Sequence, residues 1–168
     1  MKYTHKKRDH SSSPFTPKPW IKKVQGSFSF TTTAKYQTID PINQADWNKL
    51  CGISFNPLKP NQDAIMIAWR YNTVTGYIEI APYFNAGGAI INPDTNYKKE
   101  IINIIPFETI EFWIDFWGIN YKEIDSNVWH QVPVPKTVRT NKWTSFFIQP
   151  WFGGDEPAPQ DIDINLNI

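Results

Sequence analysis

Apolar and polar residues alternate along much of this chain, a period-two pattern that predicts β-strands with one buried and one solvated face. The segment 111–117 shows this pattern most sharply. Its apolar face consists of Phe112, Ile114 and Phe116. Its other face alternates carboxylates with indoles, in Glu111, Trp113, Asp115 and Trp117. We expect one face of this strand to cover a core and the other to carry functional side chains.

The most distinct β-hairpin is predicted where two alternating segments, 63–71 and 77–84, flank a short turn. If the residues that close this turn pair with each other, the register places Arg70 opposite Glu79. Opposite charges at facing positions of neighbouring strands attract each other. The sequence therefore predicts an ion pair across this hairpin.

Further short strands are predicted at near-regular spacing along the chain. They start near Val24 and include the ranges 47–55 (with a bulge at Gly52), 89–91, 97–105, 108–117, 128–132, 143–149 and 161–168. No segment has a convincing helical period. About ten short strands without helices predict an all-β fold, a two-sheet antiparallel β-sandwich.

The composition supports this fold class. The chain has 8 Trp, 7 Tyr and 11 Phe, and 14 prolines interrupt its elements. Aromatic residues favour strands and prolines break long helices. Cys51 is the only cysteine, which excludes an intramolecular disulfide. No stretch resembles a signal peptide or a membrane span, so we expect a soluble protein made in a cytoplasm and no membrane partner.

The first 23 residues differ in charge from the rest. They contain seven Lys and Arg residues against Asp9, a formal charge of +6, whereas the remaining 10 basic and 15 acidic residues give −5. We divide the chain into an extended N-terminal arm, 1–23, and a sandwich domain, 24–168. One interpretation is a disordered tail. The other is an arm that orders against a neighbouring subunit.

In the second interpretation, the arm contributes both charge and apolar anchors to a partner. The candidate residues for this contact are Lys6, Lys7, Arg8, Phe15, Trp20 and Ile21. The partners expected are copies of this chain or other proteins of one assembly. Nucleic acid is not expected as a partner, because the acidic body would repel a phosphate backbone.

A second hypothesis is carbohydrate binding on the aromatic and acidic strand face. Indoles and phenols stack on sugar rings, and nearby polar groups orient the hydroxyls. The candidate residues are Tyr77, Glu79, Tyr83, Glu111, Trp113, Asp115 and Trp117. The alternative is that the other sheet, the arm or a second subunit covers these rings.

Catalytic and metal chemistry find little support. Glu111 and Asp115 lie about 13 Å apart along one strand, too far for the carboxylate pair of a glycosidase unless a residue such as Glu79 completes it. Cys51 lies in an apolar strand and His130 has no nucleophile motif beside it. The acidic C-terminal residues do not follow a calcium-loop spacing, and the histidines lack zinc-like spacing. We therefore expect no enzyme, metal or cofactor.

Four segments resemble a family of small β-sandwich proteins. The first three are Trp47–Phe55, Ala68-Trp69-Arg70-Tyr71-Asn72 and Ile78-Glu79-Ile80. The fourth is the closing Trp151-Phe152-Gly153-Gly154-Asp155-Glu156-Pro157-Ala158-Pro159-Gln160-Asp161-Ile162. Members of this family occur in tailed bacteriophages of Bacteroidota, including crAss-like phages, and in their hosts. The resemblance covers about residues 26–168.

This resemblance implies a jelly-roll or concanavalin-like (lectin-like) sandwich and an association with phages, and it brings no catalytic residues. We accordingly expect a non-enzymatic accessory structural protein of a virion, as a head decoration or a tail or portal adaptor, assembled through the arm and the sandwich surface. A carbohydrate-binding module is the alternative.

Overall fold

The protein is a sandwich of two antiparallel sheets in the computed structural model, which describes residues 1–14 and 18–168. The predicted all-β, two-sheet antiparallel sandwich is confirmed. In chain order the strands are β1 (Lys2–His5), β2 (Ser12–Ser13), β3 (Lys23–Phe30), β4 (Asn48–Ser54), β5 (Ala64–Tyr71), β6 (Ile78–Ala86), β7 (Ala89–Ile91), β8 (Ile102–Ile104), β9 (Ile110–Asp115), β10 (Gly118–Glu123), β11 (His130–Pro133), β12 (Phe146–Ile148) and β13 (Ile162–Asn167). A single-turn helix, α1 (Pro93–Asn96), and 3₁₀ turns at Thr32–Ala34, Pro41–Ala45 and Lys98–Glu100 connect them.

The two sheets differ in size and connection. The larger sheet has the order β11-β10-β9-β3-β13-β1-β2. The smaller sheet has the order β12-β4-β5-β6-β7, and β8 also pairs with β6. Strands close in sequence form hairpins, whereas β13 lies between β3 and β1 and so joins the two ends of the chain.

The core lies between the sheets and is built from the apolar faces of the alternating strands. Phe28 and Phe30 of β3 and Ile164 of β13 point inward from the larger sheet. Trp69 of β5 faces them from the smaller sheet, with its ring centroid 4.8 Å from that of Phe30. Phe152, from the loop before β13, is buried against Trp69. The closing loop therefore acts as part of the core.

The predicted hairpin and its ion pair are confirmed. The backbone N–H of Asn72 donates to the carbonyl oxygen of Tyr77, and Tyr71 pairs with Ile78. Arg70 consequently faces Glu79, with Nε 2.6 Å from a carboxylate oxygen. The tight closure of the turn sets the register of both strands.

Several predicted strands are shorter in the structure. The 97–105 strand is wrong over its first part, because Lys98–Glu100 forms a 3₁₀ turn and only Ile102–Ile104 pairs with β6. The 143–149 strand is reduced to Phe146–Ile148. The register shift of β4 lies between Lys49 and Cys51 instead of at Gly52, where a Cβ would approach the Ile65 carbonyl oxygen to 2.3 Å. Gly52 thus permits close strand pairing and makes no bulge.

The N-terminal segment is extended, but it is not separate from the sandwich. Residues 2–5 form β1, which pairs along its length with β13, and Tyr3 and His5 are buried in the sheet. This corrects the boundary predicted at residue 23. The physical reason is a short Tyr-Thr-His alternation, hidden within a basic segment, that supplies two inward side chains to an otherwise unpaired edge.

Within residues 1–14 and 18–168, other segments of the chain cover one of the two outer faces and leave the other open. Over the smaller sheet, Trp47 and Tyr83 form a second buried cluster with small apolar residues of β5 and β6. Ile101 and α1, from the excursion between β7 and β8, lie on this side. We call it the covered face.

Candidate functional site

The outer surface of the larger sheet carries the strand face that the sequence singled out. We call the outward side chains of β3, β9, β10 and β11, together with Trp117, Trp129 and Asn167 of β13, the open face. Cross-strand pairing aligns one row through its centre, which consists of Gln131, Asn120, Trp113 and Gln25. A neighbouring row consists of Lys122, Glu111, Ser27 and Asn167. An indole is thus surrounded by amide, hydroxyl and charged side chains.

Trp113 is the centre of the open face. It is half-buried, and its ring centroid lies 4.5 Å from that of Trp129 at an interplanar angle of 56°. Two amines flank the pair, with Lys23 Nζ 5.6 Å from the Trp113 ring and Lys122 Nζ 5.2 Å from the Trp129 ring. Such cation–π contacts hold the rings in place without covering all of their surface.

Two shallow grooves meet at Trp113. The first has a volume of about 380 Å³ and is lined by Gln25, Gly26, Ser27, Glu111, Phe112, Trp113, Trp129 and Asn167. The second has a volume of about 430 Å³ and is lined by Trp113, Asp115, Trp117, Gly118, Asn120, Gln131, Val132 and Pro133. Because Trp113 lines both grooves, they form one continuous surface. This surface extends from Trp113 in two directions across the outer side of the larger sheet.

Local features of the chain shape this surface. A Cβ on Gly26 would lie 1.7 Å from the carbonyl oxygen of Asn167, so glycine lets β3 and β13 approach closely beside the first groove. Asp115 Oδ1 accepts hydrogen bonds from the backbone N–H groups of Trp117 and Gly118. This carboxylate fixes the turn that leaves Trp117 85% exposed at the rim of the second groove.

The structure divides the residues predicted for carbohydrate binding between two faces. Glu111, Trp113, Asp115 and Trp117 lie together on the open face. Glu79 and Tyr83 lie on the covered face, because β6 belongs to the other sheet. Tyr77 precedes β6 beyond the turn and is half-exposed there. The prediction of a single seven-residue platform is therefore wrong.

The covered face is filled by its own contacts. Burial raises the pKa of Tyr83 to about 12. Glu79 accepts hydrogen bonds from Arg70 and, at 2.8 Å, from Asn72 Nδ2. The guanidinium of Arg70 also forms two bonds with Asp94 and stacks over Trp47 at 4.1 Å. These contacts fix Trp47 and α1 on the outer side of the smaller sheet.

Sequence reasoning missed several residues of the open face. They are Gln25, Asn120, Trp129, Gln131 and Asn167. Gln25, Asn120 and Asn167 are outward positions of alternating strands. The alternation therefore predicts that their side chains point away from the core. Gln25 and Asn120 come to face Trp113 through the pairing of β9 with β3 and β10, and Asn167 joins the neighbouring row through the pairing of β13 with β3. The alternation within each strand does not show which strands pair.

Among the described residues, the two carboxylates of β9 on the open face, Glu111 and Asp115, have separate partners. Glu111 forms an ion pair with Lys122 at 3.3 Å, and Asp115 binds backbone N–H groups. Glu79 was the residue considered as a catalytic partner for these carboxylates. It belongs to the covered face, on the other sheet. Cys51 is fully buried, which raises the pKa of its thiol. His130 stacks on Tyr121 and lies 3.1 Å from Glu100.

Three of the C-terminal carboxylates, those of Glu156, Asp161 and Asp163, have protein partners. Asp161 pairs with Lys6 at 2.8 Å, and Asp163 pairs with Lys2 at 2.9 Å. Glu156 accepts the backbone N–H groups of residues 39 and 40. Within residues 1–14 and 18–168, no three His, Cys, Asp or Glu side chains are grouped so that they could hold a metal ion.

The predicted arm residues mostly contact their own subunit. Besides the Lys6 ion pair, the backbone N–H of Lys7 donates to Asp161, and that of Arg8 donates to the Ala158 carbonyl oxygen. Ile21 packs against the core, whereas Trp20 is 70% exposed. Phe15 lies outside the described residues.

Comparisons with known proteins give no assignment. No protein-family model matches the chain, and no curated protein matches it. In the part of the chain that the structure describes, no helix is long and apolar enough to cross a membrane.

Proposed function

We propose that this protein is a non-catalytic binding module that holds carbohydrate on the open face. The observation that carries this proposal is the position of Trp113 between two grooves, beside Trp129 and Trp117. Sugar rings offer an apolar C–H face to an indole and hydroxyl groups to polar neighbours. The open face supplies both kinds of partner on one surface.

The polar groups around Trp113 suit hydroxyl recognition. Gln25, Asn120 and Gln131 carry amides, each with an acceptor oxygen and two donor hydrogens, so they can bond to a hydroxyl in either role. Glu111 and Asp115 add acceptors at the two ends of β9. A site with these groups distinguishes sugars by the direction of their hydroxyls.

The shape of the surface favours an extended ligand over a single sugar. The two grooves are shallow and continue from each other at Trp113, whereas small-molecule sites are usually enclosed. A chain of sugars can rest on Trp113 and extend toward Trp117. We therefore propose oligosaccharides or polysaccharides as the substrate class to be bound.

A glycan array followed by calorimetry tests this proposal. The wild-type chain is expected to bind at least one oligosaccharide class, and Trp113→Ala is expected to weaken that binding tenfold or more, because stacking on the central indole is lost. Trp143→Ala is the matched control, since Trp143 is 73% exposed but precedes β12 of the smaller sheet and lines neither groove. Binding that survives Trp113→Ala and Trp129→Ala unchanged would contradict the proposal.

A second candidate is the accessory structural role in a virion suggested by the resemblance to phage proteins. The observation that favours it is the exposure of Trp20 and Trp143 beside basic residues, which suits a protein contact. Mass spectrometry of purified phage particles would test it. A fixed copy number relative to the major capsid protein is expected, and absence from the particles would contradict this role.

A further inference from the structure

The loops at the two ends of the sandwich carry opposite charge. One end comprises residues 18–23, 55–63 and 134–145, and we call it the basic end. Hydrogen bonds tie these segments together, from Trp20 N–H to the Ser145 carbonyl oxygen and from Thr144 Oγ1 to the Phe55 carbonyl oxygen. Seven Lys and Arg residues stand against one carboxylate there, a formal charge of +6.

Within these three segments, the single carboxylate does not neutralise the cations at the surface; Asp115, which faces Lys23 across β3 and β9, lies outside them. Asp63 is buried and accepts the backbone N–H groups of Gly87 and Arg139. The exposed cations are Lys18, Lys22, Lys23, Lys59, Lys136, Arg139 and Lys142. Trp20 and Trp143 are exposed among them, and Lys142 Nζ lies 5.1 Å from the Trp143 ring.

The opposite end comprises residues 6–9, 31–46, 105–109, 123–129 and 153–161. These segments are also joined, for example by Phe107 N–H to the Phe30 carbonyl oxygen and Ile124 N–H to the Thr109 carbonyl oxygen. Nine carboxylates and four cations give a formal charge of −5, so the rest of the described sandwich is neutral and the chain sums to +1.

A groove at this end combines carboxylates with apolar surface. It has a volume of about 510 Å³ and is lined by residues 106–109 and 123–125. We call it the acidic groove. Glu108, Glu123 and Asp125 lie in it without any cation, and Phe107 is 65% exposed. The groove therefore complements a surface that presents cations around an exposed aromatic ring.

The two ends are far enough apart to act independently. Strand β9 begins next to the acidic groove and ends at Asp115, near the basic end, so the ends are separated by about 17 Å. Salt at 0.1 M screens charges over about 10 Å. Because the separation exceeds this distance, the two ends of one molecule attract each other only weakly. Both surfaces are therefore available to a partner.

We propose that these chains associate head to tail, with the basic end of one copy docked in the acidic groove of the next. Residues 134–145 supply the cations and Trp143 to this contact. Because the two surfaces differ, the contact is heterologous, and repetition produces a closed ring or an open filament. The two grooves beside Trp113 take no part in this contact, so the assembly would display a row of identical binding surfaces.

Charge-reversal variants test the proposal. The first variant carries Lys136→Glu and Arg139→Glu at the basic end, and the second carries Glu123→Lys and Asp125→Lys in the acidic groove. All four side chains are exposed. Sedimentation velocity of the wild type is expected to show association at 50 mM salt that weakens tenfold or more at 500 mM, and each variant alone is expected to be monomeric.

Mixing the two variants provides the decisive measurement. The native groove of the first variant meets the native basic end of the second, so a one-to-one complex is expected. Lys98→Glu with Lys99→Glu is the control, because these exposed lysines belong to neither end, and this variant should associate like the wild type. Circular dichroism shows whether each variant folds.

Two outcomes would overturn the proposal: a wild type that stays monomeric at both salt concentrations, or variants that do not combine when mixed. If the monomeric wild type binds a polyanion such as single-stranded DNA or heparin, and the first variant does not, the proposal is likewise overturned. In that case the basic end serves a different class of partner.

Discussion

The covered face and the open face of the sandwich carry similar residues but have different surroundings. Glu79 and Tyr83 on one resemble Glu111 and Trp113 on the other, because each strand face carries a carboxylate and an aromatic ring. On the smaller sheet, Arg70, Trp47 and α1 enclose them. On the larger sheet, the described residues leave part of Trp113 uncovered, and this indole lines two grooves. A strand pattern therefore indicates a binding surface only where no other segment packs on it.

The largest expected effect comes from breaking the ion-pair network of the covered face. Arg70→Met removes the partner of Glu79, whose side chain is 11% exposed, and an uncompensated buried charge costs about 3–5 kcal/mol of the free energy of unfolding. Urea denaturation measures this loss. Lys122→Met, which breaks the more exposed pair with Glu111 on the open face, should cost less than about 1 kcal/mol. Equal effects of the two substitutions would contradict the distinction between the faces.

Aromatic truncation should show the same contrast. Tyr83→Ala removes a buried ring from the cluster of the covered face and is expected to lower the free energy of unfolding by about 3 kcal/mol. Trp117→Ala removes an exposed indole, and the expected change is within about 0.5 kcal/mol. Thermal unfolding followed by circular dichroism measures both. A strongly destabilised Trp117→Ala protein would mean that this ring is covered in solution.

The pH dependence should distinguish the two sheets. Burial lowers the pKa of His5 to about 4, and its Nε2 has no hydrogen-bond partner among the described residues. The neutral form is therefore favoured in the folded state. The contribution of His5 to the free energy of unfolding is present above pH 6.5, the pKa of the unfolded chain. It is lost as the pH falls from 6.5 toward 4, because the unfolded chain takes up a proton that the folded chain does not. Between pH 7.5 and pH 5 we expect a loss of about 2 kcal/mol.

Hydrogen exchange locates this effect. Amides of β1 and β13 in the larger sheet should exchange faster at pH 5, after correction for intrinsic rates, than those of β5 and β6. A His5→Leu variant should lose about 2 kcal/mol less over the same pH range, because leucine does not titrate. Uniform acceleration across both sheets would contradict a local effect at β1.

Local patterns were sufficient for part of the fold. Alternation predicted β9, β13 and the β5–β6 hairpin, since a period of two is a property of each strand by itself. It did not predict that β1 belongs to the larger sheet, because a four-residue strand in a basic segment gives a weak signal. Pairing between distant segments, such as β1 with β13, depends on the whole chain.

The candidate site was predictable to a similar extent. The open-face positions of β9 followed from the alternation around Trp113. The assignment of Tyr83 to the same platform was wrong, since the sequence does not show which sheet a strand joins. Trp129 was missed as a site residue because it lies just before β11 and meets Trp113 only through the β9–β10–β11 pairing.

The proposed use of the open face can be tested most directly by nuclear magnetic resonance. The eight tryptophans of the chain each give an indole N–H signal, and these signals can be assigned by single substitutions. On titration with an oligosaccharide identified on the array, the signals of Trp113, Trp117 and Trp129 should shift, while those of the buried Trp47 and Trp69 should not. Shifts confined to Trp20, Trp143 or Trp151, or no shift at saturating ligand, would contradict carbohydrate binding on the open face.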